Sequence, residues 1–473
     1  MNLKTHPVNI IDNIYKLIPL LILPLLRGFF SALRGGLYAW ISGAWLDIFV
    51  LLLILEMSVL SYRSIKLEIQ NDEISFSKGI LKHQTVKIKR ERVCAVSLKK
   101  PWYYRPLKVA YLKIDTVAGD KKKSDIEIAL KESDALTALS LFEKKENTDN
   151  SLLVEYSPRL SYIMLLCAIL SNSFAGVAIA ATAISQSGNI LGEAIENRLF
   201  GTLTNLAKTL SFGIPPAAAV IGYVILFGWL VAFLINFLRH RNFTLRRHQN
   251  TLLIKTGTPT ERLYSLKVHE INFVTLRQSL ATKLLRLYSV FAHCSGFGKK
   301  AEDISAIAPA VKKRDFDNTL KMILPEFNLS KITHRPNNWS IFKFVLDPLY
   351  PCALIPFITY ILIKQFPLLS DFLGFVGLMA MIPSYWFLGV RIADFFTSGI
   401  GTDEKSVTVK YSKGFSLLTV IIPKEKITSV VFRQSLIQRT DNSCDVFIFT
   451  CGEDRTRHHI KNLNLDEVKG ILK

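Results

Sequence analysis

The chain has 473 residues and sets 59 Lys and Arg against 38 Asp and Glu, a formal net charge of +21, while 49% of it is hydrophobic. That hydrophobicity excludes intrinsic disorder, which needs a chain too polar to form a core. Only 21% of residues are charged, below the roughly 25% of soluble domains. Apolar and basic character must therefore occupy different segments, and a purely cytosolic enzyme is disfavoured.

In chain order, the first apolar stretch runs from Leu17 to Leu60, with a turn around Trp40 to Gly43. It is long enough for two passes of about 20 residues each. A second span follows directly and no small-residue cleavage site intervenes, so residues 1–61 read as a hairpin and not as a signal peptide. In the polar block over residues 62–150, alternation at Leu67 and Ile69, Ile74 and Phe76, and Val86 and Ile88 predicts strands. Its end places Ala135, Leu139 and Phe142 on one helical face. The second hairpin, within residues 151–238, pairs Leu160 to Ile184 with Phe212 to Phe237. Between its arms, Leu191, Ile195, Leu199, Leu203, Leu206 and Leu210 recur at helical spacing. They predict an amphipathic helix lying on the outer surface or packed across the tops of the spans. Small-residue stretches, Ser173 to Ala181 and Ala217 to Ala219, permit close helix contacts. Residues 239–330 form a second polar block closing on Phe316, Leu320 and Ile323. The third hairpin, within residues 331–392, pairs Phe344 to Ile363 with Phe366 to Val390. The last block, residues 393–473, alternates at Val407, Val409 and Tyr411 and ends on Val468 and Leu472.

Charge sets the expected orientation. Residues 62–159 carry a net +6, residues 239–342 a net +11 and residues 391–473 a net +3, whereas Glu193, Glu196, Arg198 and Lys208 cancel in the connector. Cationic flanks stay on the cytoplasmic side, so both termini and all three polar blocks are expected there, on a multi-pass protein of the bacterial inner membrane. Of the six cysteines, Cys167 and Cys352 fall in spans and Cys94, Cys294, Cys444 and Cys451 in polar segments. They have neither metal-type spacing nor the look of a disulfide framework.

The three polar blocks are one unit written three times. Gly79, Gly257 and Gly414 follow strand-like runs. Val93, Ile271 and Ile427 then align, as do Val96, Val274 and Val430. Cations recur at Lys99, Arg277 and Arg433 and six positions later at Arg105, Lys283 and Arg439, before Gly119, Gly296 and Gly452. The offsets hold at 177–178 and 156–157, and Arg277 to Leu280 repeats outright as Arg433 to Leu436. A period of this length is a domain duplication, not a solenoid repeat. Several short antiparallel strands closed by one amphipathic helix describe a small, partly open barrel. The expected fold is thus a mixed membrane protein, with six transmembrane helices in three hairpins alternating with three cytoplasmic β-barrel domains.

A two-span hairpin followed by such a block resembles the bacterial pleckstrin-homology-like membrane proteins of the YdbT type. The likeness rests on Lys255-Thr-Gly257, Ile271 to Leu280 and Cys294-Ser-Gly296, and on Lys413-Gly414, Ile427 to Leu436 and Cys451-Gly452. His6-Pro7 and Tyr156-Ser-Pro-Arg159 add to it. The first copy departs, with Lys99-Lys-Pro-Trp102 in place of the Arg-Gln-Ser-Leu turn, so a site defined by that turn would be altered there. The resemblance implies a pleckstrin-homology-like fold in a membrane setting, and a role in envelope stress or resistance to membrane-active peptides.

No hydrolase, nucleotide-binding, zinc-protease or dinucleotide motif is present, and the expected protein is non-enzymatic, without cofactor or metal. His458 and His459, beside Arg455 and Arg457, read as exposed residues in preference to ligands. The basic pairs Arg277 and Lys283, Arg433 and Arg439, with Lys99 and Arg105 in the first copy, invite three readings. They contact anionic headgroups, which guanidinium groups match bidentately, or they pack against neighbouring domains, or they are simply solvated. Nucleic acid is a poor partner, because aromatic residues for base stacking are sparse. Within the first hairpin, Arg34 with Asp47 and Arg27 with Glu56 stand at matching depths, where charges are costly unless paired or part of a pathway. The leading reading is a scaffold that binds membrane lipids or protein partners, the second a transporter or flippase-like device. A third, assembly with another subunit or a second copy, requires an exposed apolar patch or sheet edge.

Overall fold

The computed structural model describes residues 2–17, 49–70, 72–80, 83–117, 124–146, 154–171, 216–294, 297, 306–451 and 456–471. Module 1 comprises β1 (Asn2–Lys4), α1 (Val8–Leu17), β2 (Lys66–Ile69), β3 (Glu73–Lys78), β4 (Gln84–Lys89), β5 (Val93–Lys100), β6 (Val109–Thr116), β7 (Ile126–Lys131) and α2 (Glu132–Glu146). β2 and β3 alternate buried and outward residues, β5 to β7 are buried over longer runs, and Leu67, Ile74, Leu98, Leu112 and Ile128 form one core with Ala135, Leu139 and Phe142 of α2. The helical face read from the sequence is thus the lid of that core.

Module 2 runs through β8 (Val154–Tyr156), the hairpin helices α3 (Leu160–Leu170) and α4 (Pro216–His240), β9 (Thr244–Arg247), β10 (Thr251–Thr256), β11 (Glu261–Lys267), β12 (Ile271–Ser279), α5 (Leu280–Leu284), β13 (Leu287–Cys294), β14 (Ala306–Lys312) and α6 (Lys313–Ile323). Module 3 follows with α7 (Ile341–Gln365), α8 (Ser370–Thr397), β15 (Gly399–Thr402), β16 (Ser406–Lys413), β17 (Ser416–Pro423), β18 (Ile427–Arg433), α9 (Leu436–Thr440), β19 (Ser443–Thr450), β20 (Thr456–Asn464) and α10 (Leu465–Ile471).

Each module is stitched together from both sides of its hairpin. β1 pairs antiparallel with β2, Leu3 opposite Leu67, and β8 pairs with β9, Tyr156 opposite Leu245. Before the third hairpin, His334 bridges Ile400 of β15. The sequence places module boundaries after the hairpins and so misses these leading strands, which are too short to show alternation. Paired strands lie about 4.8 Å apart, so the chain leaves and re-enters each module on one side.

No hydrogen-bonded ladder closes a barrel within a module among the described residues. The ladder breaks between β4 and β5, between β11 and β12, and between β17 and β18, and at the interior breaks strands pair with the neighbouring module instead. β5 pairs with β11 to make a seven-stranded sheet, and β12 pairs with β17 to make a six-stranded one. The expected self-contained barrels are therefore pairs of sheets, each interior pair shared between neighbours. Side chains cross with the strands: Cys94 and Ala95 of module 1 and Ile421 of module 3 enter the core of module 2, and Phe273 of module 2 enters that of module 3.

Two helical stretches, Asn338–Gln365 and Pro367–Thr397, are long and apolar enough to cross a membrane, and both belong to the third hairpin. Only 6% and 17% of their most apolar windows are buried, the reverse of a soluble core helix. Shorter apolar helices, Leu160–Ile169 and Val224–His240, mark the second hairpin. The described residues thus hold two such stretches where the sequence predicts six; the other expected spans fall partly or wholly on residues outside them. Also outside are the connector from Leu191 to Leu210, the stretch Ser173 to Ala181, and the repeat glycines Gly119, Gly296 and Gly452.

Candidate functional site

The Arg-Gln-Ser-Leu turn proves to be architecture. Ser279 caps α5 by accepting from the Thr282 backbone N–H, and Ser435 caps α9 by accepting from that of Gln438. Gln278 donates to the Leu287 carbonyl and Gln434 to the Ser443 carbonyl, each at 2.9 Å, tying the turn to the following strand. A backbone in the left-handed region closes each turn, at Lys108, Arg286 and Asn442. Module 1 lacks the motif and forms a 3-10 helix, Trp102–Leu107, at the same place. There Lys100 pairs with Glu132 at 2.7 Å.

The basic residues singled out from the sequence do not meet at one rim. Lys99 lies in the β5–β11 joint opposite Arg262, and Arg105 stands 3.9 Å from Glu261 across it. Arg277 lies in the β12–β17 joint, its Nε donating to Ser416 Oγ at 2.9 Å. Arg433 is opposite Asp445 on β19 and rests over the Phe447 ring at 5.1 Å. Arg439 is exposed on α9. Lys283 is half-buried on α5; burial pushes its ammonium below the usual lysine range, against the pull of the Asp394 carboxylate. Of the intramembrane set, Arg27, Arg34 and Asp47 lie outside the described residues, while Glu56 is exposed on a helix over residues 49–64.

The histidine expectation is corrected by half. His458 is 1% exposed, because β20 alternation turns it inward, where its Nδ1 and the Tyr411 hydroxyl are 2.9 Å apart. His459 points outward and pairs with Asp445 at 3.2 Å. No cluster of metal-ligating side chains occurs among the described residues.

The alternation that buries His458 aligns Arg457, His459 and Lys461 on the opposite face of β20, and that face walls a cavity of about 450 Å³. The other walls are the membrane-proximal ends of α7 and α8 and the Lys413-Gly414 end of β16. Arg391 of α8 donates from Nη1 to Ser412 Oγ at 2.8 Å, and Ser412 donates to Asp394 Oδ2 at 2.6 Å. Lys461 reaches Asp347 of α7 at 3.2 Å, clamping β20 to the hairpin. Three buried polar atoms on the cavity wall have no partner: Arg391 Nε, Asp394 Oδ1 and Ser398 Oγ. Buried polar groups are nearly always hydrogen-bonded, so these atoms leave the wall beneath the cavity electrostatically strained. Four cations, Arg391, Lys413, Arg457 and Lys461, face a single carboxylate, Asp394. The cationic side of the cavity can hold an anion.

Sequence reasoning missed this cavity, although the cations of β20 are spaced by two. Nothing in the sequence says that β20 folds back against α7. The fold and site together define a class: tandem sheet-and-helix modules, each carrying a helical hairpin as an insertion in its first sheet. The bacterial PH domain family matches residues 18–142, 199–324 and 355–473, well over half the chain, and the protein belongs to that family. No curated protein and no solved structure matches it.

Proposed function

We propose that this is a non-enzymatic inner-membrane protein whose cytoplasmic modules bind phospholipid headgroups, with the cavity beneath the third hairpin as the binding site. The observation that carries this reading is a cavity where Arg391, Lys413, Arg457 and Lys461 surround a single carboxylate, at the end of an outward-apolar hairpin. A headgroup phosphate fits the cationic side formed by Lys413, Arg457 and Lys461. Cations beside an anionic leaflet contribute about 1 kcal/mol each. Strand pairing across the hairpins supports a six-span arrangement with all three modules on one face, and the basic charge of those modules favours the cytoplasmic face.

The test is native mass spectrometry of the full chain released from membranes containing phosphatidylglycerol. The wild type is expected to retain lipid, and Lys413→Glu with Arg457→Glu to lower retention by about thirtyfold or more, two interactions of about 1 kcal/mol each having been lost. Equal retention by both proteins would rule the site out. Inorganic phosphate in the same experiment separates recognition of the headgroup phosphate, which it displaces, from binding held by the acyl chains.

A further inference from the structure

The two joints between modules are the same joint made twice. In the first, Lys100 stands opposite Glu261 and Ser97 opposite Tyr264. In the second, Gln278 stands opposite Leu417 and Thr275 opposite Val420. Transferred through the repeat offsets, these pairings coincide residue for residue. Each joint takes the strand opening the second sheet of one module and the strand ending the first sheet of the next.

Two strands of these types are left over, one at each end of the array. β4 of module 1 pairs only with β3, and β18 of module 3 pairs only with β19, among the described residues. Their surfaces record the difference. In β12, Phe273, Val274, Leu276 and their neighbours are buried, whereas in β18 the corresponding run, Ser429 to Phe432, is exposed or half-exposed and Val431 is 37% open. β18 reads Ile-Thr-Ser-Val-Val-Phe-Arg, with neither proline nor bulk charge before its last residue. Such an edge is a template for another strand unless it is covered.

We infer that β18 of one chain pairs with β4 of a second copy, making a third joint of the same kind and joining the chains head to tail. The register is fixed by the two internal joints: Arg433 opposite Gln84, Phe432 opposite Thr85, Val431 opposite Val86, Val430 opposite Lys87 and Ser429 opposite Ile88. No cation meets a cation in these pairs. A heterologous contact of this sort generates a ring or an open row, depending on the rotation per step. Anchoring in a common membrane raises the effective concentration of the two edges.

The test uses full-length chains in native membranes, with the exposed Cys451 changed to Ser. Differently tagged Val86→Cys and Val431→Cys chains are co-expressed and oxidised. A disulfide-linked pair carrying both tags is expected, with neither variant linking to itself, and a chain carrying both changes gives a ladder at multiples of the chain mass. Absence of the mixed pair, or a dominant pair of like variants, overturns the proposal. So does equally fast linking of Val431→Cys with Lys89→Cys, which is three residues out of register. Native mass of the wild-type chain supplies a check independent of substitution: a strict monomer at membrane density contradicts the inference.

Discussion

At the scale of single residues, the repeats show which positions carry structure and which carry chemistry. Gly79, Gly257 and Gly414 all have positive φ, 112°, 95° and 58°, and so recur because the turn following β3, β10 and β16 needs a conformation that glycine adopts freely. At Gly257 a side chain is barred twice, since a Cβ would lie 2.3 Å from the Thr260 carbonyl oxygen. His458 is the residue most sensitive to solution conditions. Burial lowers its pKa to about 3, helped by His293 and Lys413, whereas the unfolded chain titrates near 6.5. Between those values the unfolded state binds more protons, so stability falls as pH drops below neutral. At pH 5 the loss from His458 is about 2 kcal/mol. Thermal unfolding at pH 7 and pH 5 should therefore show an acid-sensitive transition that His458→Gln reduces by about half, since buried His293, held down to about 4, contributes a similar loss; an unchanged acid sensitivity in that variant would refute the assignment. Because Phe273 of module 2 stacks edge-on against His458, the transition should include the joint between modules 2 and 3.

At the scale of elements, the third hairpin is held by close approach. Gly377 of α8 faces Thr359 of α7, and a Cβ there would lie 2.4 Å from the threonine methyl and 3.0 Å from its Cβ. A β-branched partner cannot swing aside. Gly377→Val is expected to cost 1–3 kcal/mol, roughly the penalty of overpacking, read as a lower unfolding midpoint in detergent titration. Gly374→Ala meets only Ile363 Cδ1 at 4.0 Å and should be near neutral. Equal losses in the two variants would argue against tight packing at this crossing. The strands and closing helices were readable from alternation and from faces such as Phe316, Leu320 and Ile323, all buried against β14 and its neighbours. The short leading strands were not, since three residues such as Asn2–Lys4 cannot display a period.

At the scale of the whole molecule, the modules share sheets instead of standing as beads on a membrane thread. The proposed arrangement, with all modules on one face of the membrane, has a direct readout. Cys451 is exposed in module 3, while Cys94, Cys167, Cys294 and Cys444 are buried. A membrane-impermeant maleimide should label Cys451 in inverted inner-membrane vesicles and leave it untouched in intact spheroplasts. Labelling from outside would reverse the orientation. Shared sheets also explain why the recurring cations scatter. Lys99 and Arg277 occupy equivalent places in interior joints, whereas Arg433, their third copy, stands at the open edge.

The sequence by itself determined the threefold repeat, the long apolar hairpin at Phe344 to Val390, the strand alternation and the closing helices. All of these are periodic or compositional, and a period is written into the chain wherever one face is buried. Only the tertiary structure decided that β5 joins β11 and β12 joins β17, and that β20 folds against α7 to enclose Arg391, Asp394 and Ser398. Those choices depend on contacts between strands and helices far apart in sequence. A strand edge has the same composition whether its neighbour belongs to its own module, to the next, or to another chain.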